Sequence, residues 1–154
     1  MNANNVRTAI SIMQRAALHN CIDMVRYQWG DIPEDGRRYV AETEEQLHAC
    51  GNTACFAGYV AVSPEWKAAG GYMYHNGEPK LPGGPNKEDM WALPAIAAWL
   101  GVDVYLAERL VLGDITYGGA GEGNYSVFYG KRWGEVDAHD VIEKLERILS
   151  GDLV

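Results

Sequence analysis

Three cysteines and four histidines stand in the chain, and four of the seven fall in one stretch: His48 and Cys50, then Cys55, with His75 farther on. Thiolate and imidazole are the donors a zinc-class cation takes, so these four residues are the ones to consider for a metal. Structural zinc ordinarily draws on two close pairs of ligands. Here only Cys50 and Cys55 form one, and the second would have to come from histidines. The simpler expectation is no metal and no cofactor, with the two cysteines packing around a turn. Cys55 is also the candidate nucleophile. A helix that starts near Thr53 places it in the first turn, where the helix dipole lowers a thiol pKa if the sulfur is reachable. With His139 or His75 as base and an Asp or Asn to orient it, that thiolate would serve a small hydrolase or transferase. The helix that follows is apolar nearly all round, which favours a buried thiol instead. His139-Asp140 is explained by the start of the last helix, where Asp140 complements the dipole. No catalytic residue is assigned.

These groups must be positioned by helices. Val6, Ile10, Met13, Ala17, Cys21 and Met24 recur at spacings of three and four, which predicts a helix from about Asn5 to Tyr27. Gly51 and Asn52 favour a turn, and Asn52 or Thr53 can cap a central helix running to Val62. Gly58 in its middle permits close approach of a neighbour, and Ser63-Pro64 closes it. Two short helices are expected at Trp91 to Leu100 and Val104 to Leu112, each followed by glycine, with Asp103 as N-cap of the second. The last helix is expected from the cap Asp137 to Ser150. Between Lys67 and Asp89, Asn76-Gly77 separates short alternating runs and predicts a two-residue hairpin, a small flap that must lean on the helices. The expected fold is mainly α: one domain over residues 1–154, of five or six helices with a small β-hairpin flap.

The segment from Gly113 to Gly134 carries seven glycines among Tyr117, Tyr125, Phe128, Tyr129 and Trp133. Its glycine spacing fits neither a dinucleotide fingerprint nor a phosphate loop. Tyr117, Tyr125 and Tyr129 are expected on a mobile loop as contacts for a protein partner, while Phe128 and Trp133 fold back onto the core. Between Asp31 and Glu45 acids outnumber bases, and Glu42, Glu44 and Glu45 form the acidic part of the expected interface.

A net charge of -8 and an apolar share of 47% describe a globular chain that repels nucleic acid and anionic membranes. No stretch reaches the ~18 apolar residues of a membrane span, and the odd cysteine does not suit a secreted disulfide framework, so a cytoplasmic protein is expected. Cys50-Gly51-x-x-Ala54-Cys55-x-Ala57-Gly58, followed by Ala97-Ala98-Trp99-Leu100-Gly101-Val102 and a terminal helix after Trp133, resembles a family of small proteins encoded by bacteriophages, prophages and actinobacterial genomes, mostly without assigned activity. This chain departs from the family in its long Gly-rich segment. The resemblance implies a phage or mobile-element accessory protein. With the acidity and the aromatic loop, it leads to the expectation of an inhibitor that binds a host defence protein, for example a CRISPR-Cas component, on a basic surface that normally holds nucleic acid. The alternative is a thiol-dependent enzyme or metal-binding protein centred on Cys55.

Overall fold

The structure, a computed structural model, describes residues 1–19, 41–48, 54–74, 78–83, 88–116 and 124–153. Helix α1 spans Ala3–Ala17, with the Asn2 side chain accepting from the Asn5 amide at 3.3 Å. It stops at Ala17, where Leu18 and His19 amides fold back to the carbonyls of Arg15 and Ala16. Cys21 and Met24, expected on its stripe, lie outside the described residues. The buried face is Val6, Ala9, Ile12, Met13 and Ala16, rotated from the expected one so that Ile10 and Ala17 are only partly covered. Two alanines on that face suit close packing, since the distance between helix axes follows the side chains at the contact. The partner of α1 is the last helix, α7, Ala138–Ser150. Helix α7 begins as expected at Asp137, which forms a reciprocal capping box with Asp140 and so satisfies amides that have no partner within the helix.

Helix α2 is the single turn Glu44–Leu47, capped by Thr43. Helix α3, Phe56–Val62, is buried at every residue including Gly58, the central position its composition requires. Its start differs from expectation: the helix begins at Phe56, and Cys55 is the N-cap, without a side-chain capping bond. Ser63-Pro64 does end α3, yet it also begins another helix. The Ser63 hydroxyl donates to the Val60 carbonyl and accepts from the Trp66 amide, and Pro64 opens α4, Pro64–Ala68, because a fixed φ and a missing N–H suit the first helical position.

The flap is a three-stranded antiparallel sheet, β1 Tyr72–Met73, β2 Pro79–Leu81 and β3 Met90–Trp91. Met73 faces Pro79 and the Tyr74 amide donates to the Glu78 carbonyl. The two-residue turn expected at Asn76-Gly77 lies outside the described residues. Helix α6, Val104–Leu112, follows the predicted boundaries, while α5, Ala92–Leu100, starts one residue after the expected Trp91, which ends β3 and caps the helix; Gly101 and Gly113 are in left-handed conformation. Gly113 is required twice over: φ is +72°, and a Cβ there would run into the Trp133 ring.

The Gly-rich segment is not a structureless loop where it is described. Strands β4 Ile115–Thr116, β5 Tyr125–Ser126 and β6 Lys131–Arg132 form a second antiparallel sheet, followed by a short 3-10 turn at Trp133–Glu135. Residues 117–123 lie outside the described ones. Buried Ser126 anchors the sheet, its hydroxyl donating to the Gly113 carbonyl and accepting from the Tyr129 amide. One core joins these parts, with Trp66, Tyr59, Phe56, Ile12 and Met13 among its largest fully buried side chains. No helix among the described residues is long and apolar enough to cross a membrane.

Candidate interaction surface

Cys55, the candidate nucleophile of the alternative reading, is 1% exposed, the buried thiol that the apolar helix favours, so its sulfur is closed to a substrate in this conformation. Cys50 and His75 lie outside the described residues. His48 ends α2 and stacks on His19, ring centroids 3.7 Å apart and planes 16° from parallel, with Tyr59 beyond it at 5.8 Å. Burial, and then the like charge of His19, hold the His48 imidazole below its ordinary pKa. Parallel stacking turns the ring faces toward each other and leaves the nitrogen lone pairs in the ring planes, which is not how two imidazoles share a cation. Among the described residues no group of three or more His, Cys, Asp or Glu side chains is placed to hold a metal. His139 is exposed on α7, and Asp140 is engaged by the Asp137 cap and by Lys131 at 2.6 Å, so the pair does structural work.

The acidic patch divides. Glu42 and Glu45 are exposed, as a partner surface needs. Glu44 is not available: Arg15 grips it through Nε at 2.9 Å and Nη2 at 2.6 Å, and Nη2 also reaches Glu65 at 3.1 Å. The hydrogen bond that Arg15 donates to Glu44 is the largest influence raising the Arg15 pKa. This fork ties α1, α2 and α4 together, which removes Glu44 from the expected interface.

The tyrosines divide too. Tyr125 is 43% exposed on β5, and Tyr117 lies outside the described residues. Tyr129, expected as an exposed contact, is buried at 7% exposure, and its hydroxyl donates to the Leu110 carbonyl at 2.6 Å. Burial first, then the charges of Asp140 and Cys55, push its pKa well above the ordinary tyrosine value. Phe128 and Trp133 are in the core, as their place in the sequence predicts.

A surface that the sequence reading missed lies beside Tyr125. On α6, Tyr105, Glu108, Arg109 and Leu112 recur at spacings of three, one and three, and with Asp114 and Ile115 they line a cleft of about 330 Å³. The Val127 amide donates to the Asp114 carbonyl, which brings β5 to the same edge. Tyr105 is 61% and Val127 57% exposed. In the middle, the Arg109 guanidinium lies 4.6 Å from the Phe128 ring and its Nε 3.3 Å from Asp114, held between a π face and a carboxylate. Asp114 itself takes a left-handed φ of +53°, tolerated better by Asp than by most residues. The helical spacing of Tyr105, Glu108 and Leu112 was available in the sequence. What hid the surface was that the outward face of α6 reads as an ordinary solvated face until Asp114, Ile115 and Phe128 are folded beside it.

No family model, no curated protein and no solved structure matches this chain.

Proposed function

We propose that this protein is a non-catalytic binding module whose acidic, aromatic surface meets a basic protein surface. In this proposal it serves a phage or mobile element by covering the nucleic-acid-binding face of a host defence protein such as a CRISPR-Cas component. One observation carries the binding role: exposed Tyr105 and Leu112 line one cleft with Glu108 and Asp114, and exposed Val127 is tied by its amide to the Asp114 carbonyl. Large apolar rings with acids at the rim suit an interface with a cationic partner, the rings providing contact area and the acids steering encounter. Charge complementarity selects the partner, since the chain carries -8 overall. The buried Cys55 gives the thiol alternative no support. The phage context rests on the Cys50-Gly51-x-x-Ala54-Cys55 resemblance. The test is titration of the purified protein into a panel of reconstituted CRISPR-Cas effectors, measuring target DNA binding at low and high salt. Inhibition of an effector that weakens with salt and with Tyr105→Ala is the expected result. DNA binding unchanged across the panel overturns the defence-inhibitor assignment.

A further inference from the structure

The flap holds a lysine in an unusual place. Lys80 is the middle residue of the middle strand, and the register sets Tyr72, Lys80 and Trp91 directly opposite one another in a single row across the sheet. Directly opposed residues project to the same face, so the lysine stem runs between two aromatic rings. Its Nζ lies 3.0 Å from the Trp91 ring centroid, 3.8 Å from that of Tyr74 and 5.8 Å from that of Tyr72. Tyr74 and Trp91 meet edge to face, centroids 5.1 Å apart and planes at 70°, so their faces form a corner around the ammonium. Lys80 is only 5% exposed, yet no carboxylate pairs with it among the described residues. Asp89 accepts instead from the Tyr72 hydroxyl at 2.6 Å, which orients that ring. The other side of the box is open, Trp91 being 43% and Tyr72 37% exposed. Backbone strain sits at the same place: Ala92, directly after Trp91, holds φ at +48°, a conformation that costs energy for any residue with a Cβ and clusters at functional sites.

We propose that Tyr72, Tyr74 and Trp91 form a receptor for a quaternary ammonium group, and that Lys80 is its resident occupant, displaced when such a ligand binds. The chemistry favours the exchange. A primary ammonium has three N–H donors, and ring faces satisfy them poorly, so Lys80 gives up strong hydration on entering the box. A trimethylammonium has no N–H to satisfy, is weakly hydrated, and presents methyl groups to the rings while keeping its charge over their faces. Charge in the box is conserved, because one cation leaves as another arrives. The lysine stem is flexible and the box opens to solvent, so Lys80 can leave by rotating its side chain without moving β2. Two ligands share this chemistry, a trimethylated lysine of a protein and a choline headgroup.

The test follows the Trp91 indole resonance by NMR during titration with tetramethylammonium, with ammonium chloride as the ionic control. In the wild-type protein tetramethylammonium should shift this resonance saturably, and ammonium should not. Lys80→Gln removes the competitor and should tighten binding about tenfold, if the lysine leaves the box vacant roughly a tenth of the time. Trp91→Leu should abolish the response, read then on the resonances of Tyr74. Saturation by a trimethyl-lysine peptide but not phosphocholine would identify a protein ligand, and the reverse a headgroup; either supports the site. An unmoved Trp91 resonance in both the wild-type protein and folded Lys80→Gln overturns the proposal. If Lys80→Gln does not fold, the wild-type titration alone decides, with an unmoved resonance again negative.

Discussion

Tyr129→Phe separates a core tyrosine from an interface tyrosine by a single oxygen. Leu110 lies in the last turn of α6, and the residue four positions on, whose amide would serve its carbonyl, is Asp114, beyond the Gly113 cap. The Tyr129 hydroxyl takes the place of that amide, donating to the Leu110 carbonyl at 2.6 Å with the ring 7% exposed. Removing the hydroxyl leaves a buried helix-end carbonyl without its donor. The cost of an unpaired buried acceptor is ~1–3 kcal/mol. At ~2 kcal/mol, a domain of this size should melt roughly 4–8 °C lower. Urea unfolding followed by far-UV circular dichroism, together with calorimetry, measures this directly. The pH dependence adds a second reading. Burial raises the folded-state pKa of Tyr129 above the unfolded value of about 10, so the folded chain keeps a proton that the unfolded chain releases. That contribution is complete below pH ~10 and is lost as pH rises above it, and Tyr129→Phe should flatten this alkaline loss. A variant within ~0.5 kcal/mol of the wild type would refute the helix-end argument. Unchanged stability with weakened partner binding would return Tyr129 to the interface.

Glu44→Gln should cost ~1 kcal/mol, because it breaks a bidentate contact to a partly exposed arginine, while Glu42→Gln and Glu45→Gln should stay within ~0.5 kcal/mol; denaturation midpoints rank the three. The folded-state pKa of His48 lies below its unfolded value, so the stability it contributes is present above pH ~6.5 and is lost as pH falls through the folded value. A His48→Gln variant should show a flatter stability profile in that acidic window, with His19, Glu44 and Arg15 still in place around it. Ala92→Gly should leave stability equal or raise it by up to ~1 kcal/mol, because relief of the left-handed strain exceeds or balances the added freedom of the unfolded chain. Gly113→Ala should lose ~2–4 kcal/mol in thermal unfolding, through left-handed strain and collision with Trp133 together.

The helices were legible wherever local chemistry alone decides them. Asp103 with Gly113, and Asp137 with Gly151, bracket α6 and α7 because capping needs only a side chain within a few residues of the amides it serves. The mainly α architecture follows from such signals. Where the fold departs from expectation, the cause is at longer range. The face of α1 turns so that Ala9 and Ala16 are buried in a helix packed mainly on α7, a choice that the spacing of apolar residues on α1 cannot express. The Gly-rich segment forms strands where described, because Ser126, Gly113 and Trp133 interlock across some twenty residues of chain; glycine content marked a turn-rich path without revealing the contacts that organise it.

The candidate sites follow the same division. Glu42, Glu44 and Glu45 look alike in sequence, and only Arg15, twenty-nine residues from Glu44, makes one of them structural and leaves the other two to solvent. Tyr125 and Tyr129 are likewise neighbours in sequence, yet alternation along β5 and the reach of one hydroxyl to α6 send them to opposite environments. Charge and aromatic content therefore do not say which of these side chains are exposed and which are engaged within the fold. Lys80 makes the point from the other direction. As a lone lysine between prolines and tyrosines it carries no motif, and its chemistry arises only when antiparallel pairing aligns it with Tyr72 on one side and Trp91 on the other. A residue whose partners lie eight and eleven positions away, on separate strands, becomes readable once strand register is known, and register is what two- and three-residue strands encode least well.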